Sequence, residues 1–230
     1  PESDAYAGYP SSYQVEAEAR DAGGRTITDS RAYRAGAKAY LFDVKAEAGF
    51  FTPERPAVLK ARLMDLNDAQ REGAAEYSLY RLEKEPETGE GQREWGRFGG
   101  NPSLEQAFSN VPDGALAEKG AVDFKAKAPS SITLKNLAPG AYRLKLKAKD
   151  PWGGETESQV IIVSASPDAR ANGALRLPPV ALFEHESYQA GETARVLIGA
   201  SSLKSAKYAE VLAGSFLLSR ETVREGGLSI

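Results

Sequence analysis

Cysteine is absent from the 230 residues, and histidine and methionine occur once each. Without cysteine there is no disulfide framework, no thiolate metal site and no cysteine nucleophile. A single histidine, His185, removes most zinc sites and most pairings of a hydroxyl nucleophile with an imidazole base. Basic excess is missing too: 29 lysines and arginines stand against 32 aspartates and glutamates, for a net charge of -3. Phosphate binding needs clustered positive charge, so no nucleic-acid partner is expected. No apolar run approaches the roughly 20 residues of a membrane span, and the opening PESDAYAGYP has neither the charged nor the apolar region of a secretory leader.

What the chain does have is strict alternation, clearest from Pro139 to Val163. Tyr142, Leu144, Leu146 and Ala148 alternate with Arg143, Lys145, Lys147 and Lys149, a period of two that a helix could not accommodate without burying lysines. Asp150-Pro151-Trp152-Gly153-Gly154 is a turn signal, and a second strand is expected from Glu155. A five-residue loop sets Lys149 opposite Glu155, Lys147 opposite Glu157, Leu144 opposite Val160 and Tyr142 opposite Ile162. Burying each apolar side chain contributes roughly 1.5 to 3 kcal/mol and each cross-strand charge pair only about 0.2 to 1 kcal/mol, so the apolar face fixes the register.

The pattern recurs. Tyr13 to Asp21, YQVEAEARD, matches Tyr142 to Asp150, YRLKLKAKD, and each is followed closely by two glycines; the offset is 129 residues. A fainter echo relates Phe51-Thr52-Pro53-Glu54 to Tyr188-Gln189-Ala190-Gly191, 137 residues later. Two offsets near 130 indicate tandem modules. The expected fold is all-β: tandem antiparallel Ig-like or fibronectin-like sandwiches. The C-terminal part of one sandwich is placed at 1–49, a complete one at 50–166 and the N-terminal part of a third at 178–230, with Ser166 to Pro179 as linker. Within them, Tyr13, Val15, Ala17 and Ala19 are expected to be buried. Lys38 to Val44 is assigned to the first module, Tyr80 and Leu82 to a second covered face, and Ser103 with Gln106 to a capping box that starts a short helix. Val211 to Leu218 reads as one strand, and Lys84 to Asn101 as a long exposed connection.

No catalytic, cofactor or metal site emerges. His185, between Glu184 and Glu186, reads as an exposed side chain on a polar strand rather than a base or ligand. Glu85, Glu87 and Glu90 lack the Asp/Asn/Gly spacing of a calcium loop and read as solvated. Trp95 and Trp152 suggest a platform for sugar rings; the adopted reading is that Trp152 folds back over its own hairpin and Trp95 plugs a sandwich end. Gly99-Gly100 and Gly153-Gly154 do not precede helices, which excludes a phosphate loop.

Three stretches resemble the bacterial branch of the alpha-2-macroglobulin family, in its macroglobulin domains. Tyr13 to Asp21 with Gly24-Arg25 is similar to that family's Tyr-x-Val-x-Ala-x-Val-x-Asp-x-x-x-Arg strand and turn. Tyr188-Gln-Ala-Gly-Glu-Thr-Ala-Arg-Val-Leu-Ile198 resembles its Tyr-x-Pro-Gly-Glu-x-Ala-x-Val-x-Ile segment, with Ala190 where proline is usual, and Ala209 to Arg220 resembles the strand that comes after it. The resemblance implies macroglobulin domains from a large protease trap in which a bait segment is cleaved and the domains rearrange around the prey. It implies target proteases as partners of the full-length protein, neighbouring macroglobulin domains as further partners, and a periplasmic or cell-surface location. The thioester of many members needs a cysteine and cannot lie in these residues. No bait is assigned, although Lys84, Arg93 and Arg97 make the exposed connection cleavable. The expectation is a non-catalytic scaffold without cofactor; the alternative is a set of Ig-like spacer or ligand-binding modules from an adhesin or a polysaccharide-processing enzyme.

Overall fold

The computed structural model describes residues 10–84, 103–172, 175–178, 180–199 and 207–223. The fold is all-β, built from small antiparallel sheets. Its centre is a two-layer sandwich. One layer holds β3 (Tyr40–Ala46), β4 (Ala57–Asp65), β5 (Gln70–Arg71) and β8 (Ser130–Leu134), with β4 pairing all three others. The second layer has the order β10-β9-β6-β7, from Glu155–Ser164, Gly140–Lys149, Gly73–Leu82 and Leu116–Phe124.

Alternation explains the first core. Ala57, Leu59, Ala61 and Leu63 of β4 are buried, as are Ala75 and Leu79 of β6, Val122 and Phe124 of β7, and Tyr142, Leu144, Leu146 and Ala148 of β9. Phe42 meets Phe124 across the layers at 5.8 Å between ring centroids. Tyr142 also closes the turn that precedes its strand, its hydroxyl donating to the Ala138 carbonyl at 2.8 Å. This is the corner geometry of Ig-like sandwiches.

The β9–β10 register is the one the alternation sets: Lys149 opposes Glu155, Lys147 opposes Glu157, Leu144 opposes Val160 and Tyr142 opposes Ile162. Lys147 and Lys149 form ion pairs with those glutamates. The repeat is real in three dimensions. β1 (Ser11–Arg20) and β2 (Thr26–Ala35) form a hairpin whose loop, 21–25, has the same length as the loop at 150–154. In both, the fourth loop residue is a glycine with positive φ, +82° at Gly24 and +89° at Gly153, where a Cβ would be strained. In both, the leading aspartate accepts from a backbone N–H four residues on, Asp21 from Arg25 and Asp150 from Gly154.

Four expectations are corrected. β3 pairs with β4 over seven residue pairs, so it belongs to the central sandwich and not to the first hairpin; Gly49–Pro56 is the connection between two paired strands. Tyr13 and Val15 are exposed: among the described residues no second layer covers their hairpin as one covers Tyr142 and Leu144. The stretch at 211–218 is split: Gly214, at φ +62°, turns β13 (Lys207–Ala213) into β14 (Phe216–Val223). Finally, the linker read at 166–179 is packed where it is described, and it belongs to a second core.

That second core lies on the other face of the β9–β10 layer. Leu82, Ala141, Ile161 and Val163 supply the floor, and α1 (Leu104–Ala107) with Phe108 and Val111 covers one part. α1 begins with the expected capping box, Ser103 accepting from Gln106 N while the Gln106 side chain accepts from Ser103 N. Leu175 and Leu177, together with Leu197 of β12 (Val196–Gly199), cover the rest. β12 pairs with β11 (Val180–Phe183). Tyr80 is half-buried and Leu82 buried, so this face is covered at one end, as the sequence suggests. The connection 85–101, with Trp95 and the glutamates at 85, 87 and 90, lies outside the described residues, as do Arg93, Arg97, Gly99 and Gly100.

Candidate functional site

His185 is exposed. Its backbone N–H donates to the Tyr188 hydroxyl at 3.1 Å, and its ring stands edge-on to Tyr188 at 5.6 Å. The neighbouring Glu184 lies between two guanidinium groups, Arg195 at 3.6 Å and Arg55 at 3.8 Å. Among the described residues no group of three or more metal-ligating side chains is brought together. Trp152 corrects the reading made for it: it does not fold over its hairpin but stands 80% exposed at the tip. The reason lies in Asp150, whose carboxylate accepts from Trp152 N at 2.9 Å and Gly154 N at 2.7 Å and from Ala39 N at 3.2 Å. Burial pushes this carboxyl up, but the backbone donors outweigh it and hold it below the ordinary range. The aspartate therefore builds the turn and leaves the indole in solvent.

Two open clefts adjoin where β3 and β4 face residues 181–188. One, of about 550 Å³, is lined by Lys45, Lys60 and Arg62 against Asp43, Glu47 and Glu186. Lys60 is committed to Glu47 at 3.3 Å and to the Ser131 hydroxyl at 3.0 Å. Near-equal numbers of opposed charges give the cleft no strong preference for an ion of either sign. The other, of about 520 Å³, is more apolar, with Phe183, Tyr188 and Ala48 in its wall.

The central sandwich is tied at several points to the segment beyond β10. Phe50 and Phe51 divide between the two cores, Phe50 buried in the second and Phe51 packed on the first. Their backbone bridges to β10 in parallel, with Phe51 N to Val163 O and Ala165 N to Phe51 O both at 2.8 Å. Gly49 N then donates to Phe183 O of β11 at 2.9 Å. A Cβ on Gly49 would sit 2.7 Å from that same carbonyl oxygen, so only glycine permits this approach. On the far side the buried Asn172 holds Ser166 at both ends of its amide, accepting from Ser166 N and donating to Ser166 O, each at 2.7 Å.

Arg143 clamps the other cover of this core. Its Nη1 donates to Val111 O at 2.8 Å and to Asp113 Oδ1 at 2.6 Å, and Nη2 donates to Phe108 O at 2.5 Å. Its Nε is buried without a hydrogen-bond partner. Lys145 reaches the second oxygen of Asp113. Burial raises the Asp113 carboxyl, but the hydrogen bonds from Lys145 and Arg143 prevail and keep it below the ordinary range. Chemically, the arrangement is suited to holding segments in fixed relation. Sequence reading passed over both Arg143 and Asn172. The available signal was an Arg among lysines on a strand and an Asn followed by Leu-x-Leu, each common on surfaces.

No protein-family model matches the chain, and no curated protein does. Among solved structures, the chain is similar to the native conformation of the E. coli alpha-2-macroglobulin at a TM-score of 0.37 and 16% identity, over 95% of this chain and 14% of that one. It is similar to a mutant Salmonella alpha-2-macroglobulin at a TM-score of 0.34 and 15% identity, over 96% of this chain and 14% of that one.

Proposed function

We propose that these residues are a non-catalytic scaffold segment of a bacterial alpha-2-macroglobulin-like protease trap, located in the periplasm or at the cell surface. Its partners are the neighbouring macroglobulin domains and, through the full-length protein, target proteases. The observation that supports this reading most directly is the second core. Leu175, Leu177 and Leu197, from the segment after the central sandwich, are buried with Phe108, Val111 and Val163 in one cluster. A trap must pass a displacement from a cut segment to distant domains, and a packed junction transmits displacement where a flexible linker absorbs it. The three sequence stretches that resemble macroglobulin domains supply the family.

The test is to incubate the full-length protein with proteases of several classes and follow it by native electrophoresis and limited proteolysis. The reading expects one early cleavage, a mobility shift of the intact protein and retention of the protease in the shifted species. Cleavage by every protease without a shift or retained protease would favour the spacer alternative.

A further inference from the structure

Of the five asparagines, at 67, 101, 110, 136 and 172, only Asn172 is followed by glycine in the sequence. The pairing has a chemical consequence. An asparagine loses its side-chain amide when the next main-chain nitrogen attacks Cγ, and a glycine presents that nitrogen without a Cβ in the way. The new C–N bond closes a cyclic imide, and the bond from Cγ to Nδ2 breaks. Ammonia leaves with the proton of the main-chain nitrogen. Water then opens the imide to aspartate or isoaspartate, so water is consumed and ammonia released.

The fold holds this side chain where the reaction is blocked. Asn172 is 2% exposed. Its Oδ1 accepts from Ser166 N and its Nδ2 donates to Ser166 O, each at 2.7 Å. Its own carbonyl accepts from Leu175 N at 2.8 Å. Ala165, just before Ser166, and Leu175 are both buried in the second core. One amide therefore joins the end of β10 to the segment that covers that core. While both bonds to Ser166 hold, Cγ is not free to swing toward the next main-chain nitrogen, and burial keeps water away. The reaction runs through the open form of the junction.

The product does not fit the place its parent leaves. A carboxylate only accepts, so Ser166 N keeps a partner while Ser166 O loses its donor and faces a negative oxygen. Closing an ionised carboxyl into so buried a position, against a carbonyl that repels it, is strongly disfavoured. Isoaspartate also lengthens the main chain within the turn Ala169–Asn172.

We propose that Asn172 is a self-modification site that makes a transient opening of this junction permanent. Once the junction opens, the asparagine deamidates, and the carboxylate formed there keeps Ser166 and residues 175–178 from closing again. The reactants are the chain and water. The inference rests on the shared core and holds whether or not the parent protein traps proteases.

The test incubates the intact chain in mildly alkaline buffer in three forms: native, Leu177→Ala and urea-unfolded. Peptide mapping by mass spectrometry reads aspartate and isoaspartate at 172. The native chain is expected to keep its asparagine, and the unfolded chain to convert at 172 before any other asparagine. Leu177→Ala, with its junction loosened, should convert at least about tenfold faster than the native chain. Urea below the unfolding transition gives the same comparison without a substitution. Hydrogen exchange of Asn172→Asp reads the consequence: fast exchange at 175–178, β11 and β12 before any incubation, with β9 and β10 still protected. Equal conversion in native, loosened and unfolded chains would overturn the proposal, as would no conversion in the unfolded chain. So would an Asn172→Asp chain whose 175–178 amides exchange as slowly as the original's.

Discussion

A guanidinium that is 5% exposed and holds two backbone carbonyls cannot be shortened without consequence. Arg143→Met nearly keeps the packing volume but removes the Arg143 donor from Val111 O and leaves Phe108 O with the Val111 N–H at 3.1 Å, and we expect a loss of about 2 to 4 kcal/mol in urea unfolding. By contrast, Trp152→Ala should change stability by less than about 0.5 kcal/mol in the same measurement, since the indole is exposed and only its backbone N–H serves the turn. Asp150, Asp113 and Asp65 share a pH signature. Burial raises each carboxyl, and hydrogen bonds more than offset it: from Gly154, Ala39 and Trp152 for Asp150, from Lys145 and Arg143 for Asp113, and from Ala69, Arg71 and Asn67 for Asp65. A carboxyl held lower in the folded state contributes stability above its unfolded value of about 3.9. That contribution is lost as pH falls through the folded value. Thermal melts should therefore hold from neutral pH down to about pH 4 and decline below it, and Asp150→Asn should lower the neutral plateau and flatten the acid limb. At this scale the sequence was partly legible. Alternation put Arg143 on the outward face with Lys145, Lys147 and Lys149. That one of the four is buried depends on Phe108 and Val111, more than 30 positions away, and no local pattern carries that.

Whole elements were easier to read than their surroundings. The β9–β10 hairpin came out residue for residue, because a buried apolar face admits one register and the glutamates on β10 agree with it. The identical pattern in β1 produced the same strand and turn but no burial, since burial depends on a covering layer and the pattern only makes it possible. β3 was assigned to the wrong neighbour for a related reason: the prolines at 53 and 56 mark a reversal, and a reversal within a sandwich has the same local chemistry as a boundary between two. The contact between Gly49 and β11 can be checked directly. Gly49→Ala would place a methyl 2.7 Å from Phe183 O. The variant should keep the central sandwich and lose the Gly49–Phe183 hydrogen bond, seen as faster exchange at that amide and along β11.

At the scale of the whole molecule, the middle sandwich and the segment after it share one core. Leu177 and Leu197 are both 3% to 4% exposed within it. Truncating either to alanine should cost about 2 to 4 kcal/mol and loosen β11 and β12 before β9 and β10. The tandem β organisation was visible in the 129-residue repeat. The fused junction was not, because Leu175-x-Leu177 is too short a pattern to stand out from a linker. Hydrogen exchange of the intact chain tests this claim most directly. A shared core predicts that the amides of 175–178, β11 and β12 exchange on the slow timescale of β9 and β10, and that Arg143→Met accelerates the second-core segments together. Fast, linker-like exchange at 175–183 and 196–199, with β9 and β10 still protected, would contradict it.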